Sequence, residues 1–242
     1  MNDDWRVILP EETRYIRHVE AIVVKMLTVM GFQEIMLPRL ISESAWRSVV
    51  NEVGEAFIDF EKEVFKVEGG YSNSLVLCHW QCEPYYLALA EYGSLLPQRC
   101  FDRSGWSFRD EGNRHSLRAR QFQRLEIVWR GTEMEVENLG ALLLERMRGV
   151  ILELGLACAI AVQDDEIAAS RQKSVVDLVV TSSTGEEVEV AGMHMHGVIF
   201  SERFLGKGCG IETGCFGISL SRLGQLLCGR RGVLLSNPRV SE

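Results

Sequence analysis

Long apolar runs, paired cysteine spacing and surplus positive charge are all missing from this 242-residue chain. No apolar stretch reaches the ~18 residues that cross a bilayer as a helix, so no membrane partner is expected. The opening MNDDWRVILPEE has acidic residues where a secretory leader needs a basic region and an apolar one, so export is not expected either. Seven cysteines, an odd number, include no CxxC pair. That spacing argues against a disulfide framework or a zinc ribbon, and for free thiols in a reducing cytoplasm. Lys and Arg total 26 against 34 Asp and Glu, a net charge of −8, so a polyanion such as tRNA finds no global basic footprint. Repeats, low-complexity segments and linkers are absent, and 46% hydrophobic content suits one domain, residues 1–242.

What the chain does have is a dense polar stretch, Phe108 to Glu126, with five arginines between the apolar runs Phe101 to Phe108 and Phe122 to Trp129. A two-residue turn would reverse the chain; the long loop Glu111 to Ser116 is of the kind that binds ligands. Arg109 and Arg120 on neighbouring strands can fork phosphate oxygens while Phe122 covers a flat ring. The charge pattern alone fits a solvated, salt-bridged hairpin with Phe122 in the core equally well.

Elsewhere the periodicity predicts helices and short strands in alternation. Pro10, Glu11 and Glu12 open a helix whose Ile16, Val19, Val23, Met26, Leu27 and Met30 share a face until Gly31 stops it. Phe32 to Leu37 follows as a strand ended by Pro38. Ser42 caps a helix through Val50, Phe57 to Phe60 and Val64 to Val67 are short strands, and Leu75 to Cys78 precedes a helix from Glu83 to Tyr92. Glu133 to Leu154 is a core-facing helix, and strands Leu156 to Val162, Val175 to Thr181 and Val188 to Met195 form a meander.

The order of residues in the hairpin adds a second line of argument. Phe-Arg-Asp-Glu at 108 to 111, a loop, then Arg120-Gln121-Phe122 and Glu126 resembles motif 2 of the class II aminoacyl-tRNA synthetases. Gly31 to Leu40 is similar to that family's motif 1, and Thr213 to Leu223, a glycine-rich strand entering a helix that bears Arg222, to its motif 3. The resemblance implies an α+β fold, an antiparallel sheet flanked by helices, and a homodimer formed through the first helix and strand.

Cys82-Glu83-Pro84, Glu126 and Thr213-Gly214-Cys215 look like two branches of that family: the zinc-dependent seryl-tRNA synthetases of methanogens and the amino acid:carrier protein ligases. Spacing gives no help with a metal, and a lone buried cysteine is more often a small hydrophobe. By resemblance, however, Cys82, Glu126 and Cys215 hold Zn2+, with Cys78, His79 and Cys209 as nearby decoys. The same resemblance implies ATP-dependent adenylation of a small amino acid. Arg109 would hold the α-phosphate and the carboxylate, Glu111 read adenine, Phe122 stack on it, Arg222 take the γ-phosphate and Glu189 bind Mg2+. His196 and Phe200 match the ligase pattern, with His196 toward the substrate.

Two departures are visible: Gly192 stands where the family's next magnesium ligand is usually a serine, and His194 where an asparagine is expected. Trp80, Trp106 and Met193 are candidates for setting side-chain size. The acidic composition and the lack of an appended domain favour transfer to the phosphopantetheine thiol of a carrier protein and argue against tRNA. The alternatives are tRNA aminoacylation and a non-catalytic, regulatory paralogue.

Overall fold

A computed structural model describes residues 7–53, 64–67, 74–108, 117 and 119–230. Helix α1 (Pro10–Val29) has proline in its first turn, acidic Glu11 and Glu12 at its positive end, and Ile16, Val19, Val23 and Leu27 on its buried stripe. Gly31 ends it at φ +82°, a conformation that glycine adopts without strain. Strand β1 (Gln33–Glu34) pairs in parallel with β5 (Arg99–Asp102). It is shorter than the six residues expected, because Leu37 donates its N–H to the Asp102 carboxylate at 2.9 Å instead of to a ladder.

Strands β2 (Leu40–Ser42), β3 (Lys66–Val67) and β4 (Leu75–Leu77) form a small sheet, and α2 (Glu43–Val53) and α3 (Glu83–Tyr92) follow β2 and β4. Ser42 Oγ accepts from the Ala45 N–H at 3.2 Å, as expected of the cap, and Trp46 is buried. The expected strand at 57–60 lies outside the described residues.

The main sheet contains β5, β6 (Trp106–Phe108), β7 (Gln121–Gly131), β8 (Cys158–Val162), β9 (Ser174–Thr181), β10 (Glu187–Gly197) and β11 (Glu212–Ser219). Its order is β1-β5-β7-β11-β10-β9-β8, with β6 beside β7, and every pairing except β1 with β5 is antiparallel. Helix α4 (Glu133–Glu153) joins β7 to β8, capped by a reciprocal Thr132–Glu135 box. Two short helices, α5 (Asp164–Ala169) and α6 (Ile199–Phe204), were not expected from the periodicity; α7 (Leu220–Arg230) follows β11 as the motif 3 resemblance implied.

Alternation along the strands sorts side chains into two layers. Ile127, Trp129, Met193, Met195, Phe216 and Ile218 face α1, α4 and α7 in one large core. Gly224 lets α7 approach α1 closely: a Cβ there would come 2.6 Å from Ile16 Cγ1. On the opposite face Val128 and Cys215 pack with α2, α3 and α6 in a second, smaller cluster. Beside that cluster the sheet face carries polar groups.

Candidate active site and metal centre

Each putting of a side chain on this face follows from register. β7 places Glu126 opposite Gly217 of β11, and β11 places Cys215 opposite Val128. Cys82 reaches the same spot from the N-cap of α3. The donor atoms of Cys82, Glu126 and Cys215 lie within 4.8 Å of one another, and all three residues are buried. Among the described residues this is the one such group of three, and Cys78, His79 and Cys209 stand outside it.

The electrostatics suit a cation. Burial pushes the Glu126 carboxyl up, against the pull of Arg124. Contact with Cys215 and burial push the Cys82 thiol well up; contact with Cys82 lowers Cys215, but burial and the Glu126 charge outweigh this and leave it raised. Among the described residues, none gives either Glu126 oxygen a well-aligned hydrogen bond, although the residue is fully buried. A buried carboxylate is costly unless positive charge is brought to it, and Arg124 supplies part of that charge here. Two thiolates and one carboxylate oxygen suit zinc, with a fourth tetrahedral position left over. Next door, burial raises Glu83 to about 8, and its Oε1 accepts from Trp46 Nε1 at 2.9 Å.

Arg124 turns out to be a pocket residue. Only 8% exposed, it does not belong to a solvated basic patch; its Nε lies 2.9 Å from Glu126 Oε2. A Cβ on Gly217 would overlap its guanidinium, so the glycine makes the space that Arg124 fills. Burial works against its charge, and Glu126, Cys215, Cys82 and Glu189 outweigh that, holding it protonated.

Further along the same face the ATP candidates meet. Arg222 Nη1 donates to the Glu189 carbonyl at 2.7 Å and lies 3.0 Å from Glu189 Oε2, while its Nε donates to the Leu117 carbonyl at 3.0 Å. Its guanidinium sits 5.7 Å from the centre of the Phe122 ring. Phe122, Glu189 and Arg222 are thus brought together; Arg109 and Glu111 lie outside the described residues.

On the other side of the triad, His196 stacks edge-on against Tyr86 (5.5 Å) and Phe200 (4.8 Å), and neither ring nitrogen has a hydrogen-bond partner among the described residues. Burial, then the nearby His194, hold it well below the usual imidazole range, so it is neutral. His194 Nδ1 lies 3.0 Å from Gln172 Oε1. Of the residues expected to set side-chain size, Trp80 lines this pocket. Met193 faces the opposite core, against Gly140 of α4, because past the register shift between Glu189 and Ala191 the odd positions of β10 face that core and the even ones the pocket, and Trp106 sits on β6 opposite Gln123. Sequence reasoning missed Arg124 as a buried residue, as well as Tyr86, Gln172 and, beside them on the sheet, Asp177, whose Oδ1 lies 2.9 Å from where a Gly192 Cβ would stand. The one usable signal was Asp177, a lone carboxylate in the apolar run Val175 to Val180.

Comparison with known proteins bears on the fold and its relatives. No family model matches the chain. Solved structures with the same fold include an M. kandleri SerRS in complex with A. aeolicus tRNASec (TM-score 0.75, 21% identity, 92% of this chain and 53% of that one). Another is a Giardia lamblia prolyl-tRNA synthetase in complex with prolyl-adenylate (TM-score 0.79, 16% identity, 93% of this chain and 47% of that one). The fold is therefore that of the class II aminoacyl-tRNA synthetase catalytic core.

Sequence relatives include type-2 serine–tRNA ligases. That of Methanothermobacter thermautotrophicus is 33% identical over 167 residues, 61% of this chain and 33% of the relative. Those of Methanopyrus kandleri (29% over 206 residues) and Methanothrix thermoacetophila (25% over 271 residues) match 69% and 93% of this chain, and 39% and 54% of their own lengths. The chain thus spans about a third to a half of the curated relatives it matches.

These findings correct one expectation. The argument against tRNA as a partner is overturned: the relatives are tRNA ligases, and a structural neighbour was solved with a tRNA. Net charge misled because it averages over the whole surface, whereas an acceptor end is held by local contacts. None of the relatives named here is a carrier protein ligase. Among the described residues no helix is long and apolar enough to cross a membrane.

Proposed function

We propose that this core activates a small amino acid with ATP and transfers it to a tRNA-type acceptor. Serine is the first candidate, from the substrate in the relatives' names. The observation that carries the reading is the buried Cys82–Glu126–Cys215 group, backed by Arg124, on the sheet face that also gathers Phe122, Glu189 and Arg222.

In the first step an amino acid carboxylate oxygen attacks the α-phosphorus of ATP, a P–O bond to the β-phosphate breaks, and pyrophosphate leaves with the electron pair. Such a step needs no covalent residue; positioning and positive charge supply most of the rate. Arg109 holds the α-phosphate and the carboxylate, Glu111 reads the adenine amino group, Phe122 stacks on the ring and Arg222 takes the γ-phosphate. Glu189 belongs to a Mg2+ site at the phosphates. Zn2+ on Cys82, Glu126 and Cys215, when bound, supplies a Lewis-acidic position for the substrate amino group. His196, neutral and desolvated between Tyr86 and Phe200, offers a hydrogen bond to the substrate side chain, which favours a polar one over an apolar isostere. In the second step an acceptor hydroxyl attacks the acyl carbon and AMP leaves.

Dimerisation belongs to the same reading. The end of α1 and the segment after β1 expose Val29 (82%) and Met36 (80%), at the sheet edge where the resemblance puts the partner. Incubation of zinc-loaded protein with ATP and labelled serine, with and without tRNA, tests the proposal. Seryl-adenylate, and seryl-tRNA when tRNA is added, are the expected products; adenylate without any charged tRNA would remove the acceptor from the reading, and neither product would overturn it.

A further inference from the structure

Two tyrosines follow one another in α3, equally buried and differently used. Tyr85 and Tyr86 are both 0% exposed. The Tyr85 hydroxyl donates to the Pro97 carbonyl at 3.1 Å, so its burial is compensated within the fold. The Tyr86 hydroxyl has no hydrogen-bond partner among the described residues. A buried phenol left so opposes folding unless a partner comes from elsewhere.

The place of Tyr86 shows where that partner would sit. Residues four apart on a helix share a face, so Tyr86 stands one turn along α3 from Cys82, and both pack in the cluster that holds Cys215. The Tyr86 ring lies flat on Phe200, with centres 3.9 Å and planes 18° apart, and meets the His196 ring at 87°. Both contacts fix the ring and therefore the oxygen at its end. After burial, the charges of Cys215, Cys82 and Glu126 are what push this phenol well up, which puts its oxygen on the side of the triad. Tyr86, His196, Phe200, Cys82 and Cys215 line one cavity. His196, 5% exposed, is a second polar side chain there whose polar atoms have no partner among the described residues.

We propose that Tyr86 is a specificity-determining residue of this pocket, whose hydroxyl, together with the His196 ring, binds a side-chain hydroxyl of the amino acid. The phenol brings one O–H donor, and the imidazole one N–H and one lone pair. A substrate hydroxyl, which donates once and accepts twice, satisfies both groups with a single atom. A hydrogen in its place, as in alanine, satisfies neither and leaves two buried polar groups unpaired in the complex. A carboxylate there would be set against Glu126 and the two cysteines. The substrate class is therefore a small β-hydroxy amino acid. This role for Tyr86 rests on the cavity being the amino-acid pocket of the activation reading above; it does not need adenylation to follow.

Calorimetric titration of zinc-loaded protein with serine and with alanine, in the absence of ATP, tests the role. Wild type is expected to bind serine about 100-fold or more tighter than alanine, and Tyr86→Phe to reduce that preference by about 10–100-fold, chiefly by weakening serine. Tyr85→Phe, which removes a hydroxyl of equal burial, leaves the preference unchanged and lowers only the unfolding midpoint. Retained zinc shows that each variant is folded. Equal binding of the two amino acids by wild type, binding of neither, or a preference untouched in Tyr86→Phe overturns the proposal. A preference that Tyr86→Phe removes, in a protein that shows no ATP–pyrophosphate exchange, supports the role of Tyr86 and counts against the activation reading instead.

Discussion

The two faces of β10 follow opposite rules. Toward α4 the strand presents Val190, Ala191, Met193 and Met195, all buried among apolar neighbours. Toward the pocket it presents Glu189, Gly192, His194 and His196: charge, an absent side chain and two imidazoles. The first face contributes what holds the sheet to its helices, since buried apolar area is the main favourable term in folding. The second keeps groups whose burial opposes folding, a pattern expected where chemistry rather than stability selects the residue.

Substitutions on the two faces should therefore separate stability from activity. Cys215→Ala removes a pocket donor, and the expected result is loss of zinc and of adenylate formation to background, read by elemental analysis and by product assay. Leu143→Ala, in the fully buried stripe of α4 against the core face, should cost about 2–5 kcal/mol in denaturant unfolding and leave the activity of the folded fraction unchanged. Equal effects of both changes on both readouts would break the comparison.

Gly217→Ala sharpens it, because it adds a methyl and deletes nothing. The new Cβ must displace the Arg124 guanidinium that flanks Glu126, and the expected loss is about 10–100-fold in zinc affinity or activity. Thr132→Ala should do the least: loss of its half of the α4 capping box is worth about 1 kcal/mol of unfolding free energy, with no change in zinc content.

The core face was far more legible in the sequence than the pocket face. Long helices announce themselves through recurring apolar residues, so α1 and α4 match their expected spans within two residues. Strand β1 did not, because a run of strand-like residues does not say how many will find ladder partners. Cys82, Glu126 and Cys215 were legible only through a resemblance; nothing in their spacing brings residues 82, 126 and 215 together. Arg124 looked like one more surface arginine in a charged stretch. Its burial depends on Gly217, a partner two register positions away on another strand, and periodicity within one strand carries no trace of that. Asp177 was hidden in the same way, since its place over Gly192 comes from a bulge on the neighbouring strand.

ATP–pyrophosphate exchange across all twenty amino acids, with and without a zinc chelator, tests the central claim most directly, because it reports adenylation before any acceptor is chosen. The account predicts exchange with serine or another small amino acid, lost on chelation and restored by zinc. Zinc-loaded, folded protein that exchanges with none of the twenty would contradict it.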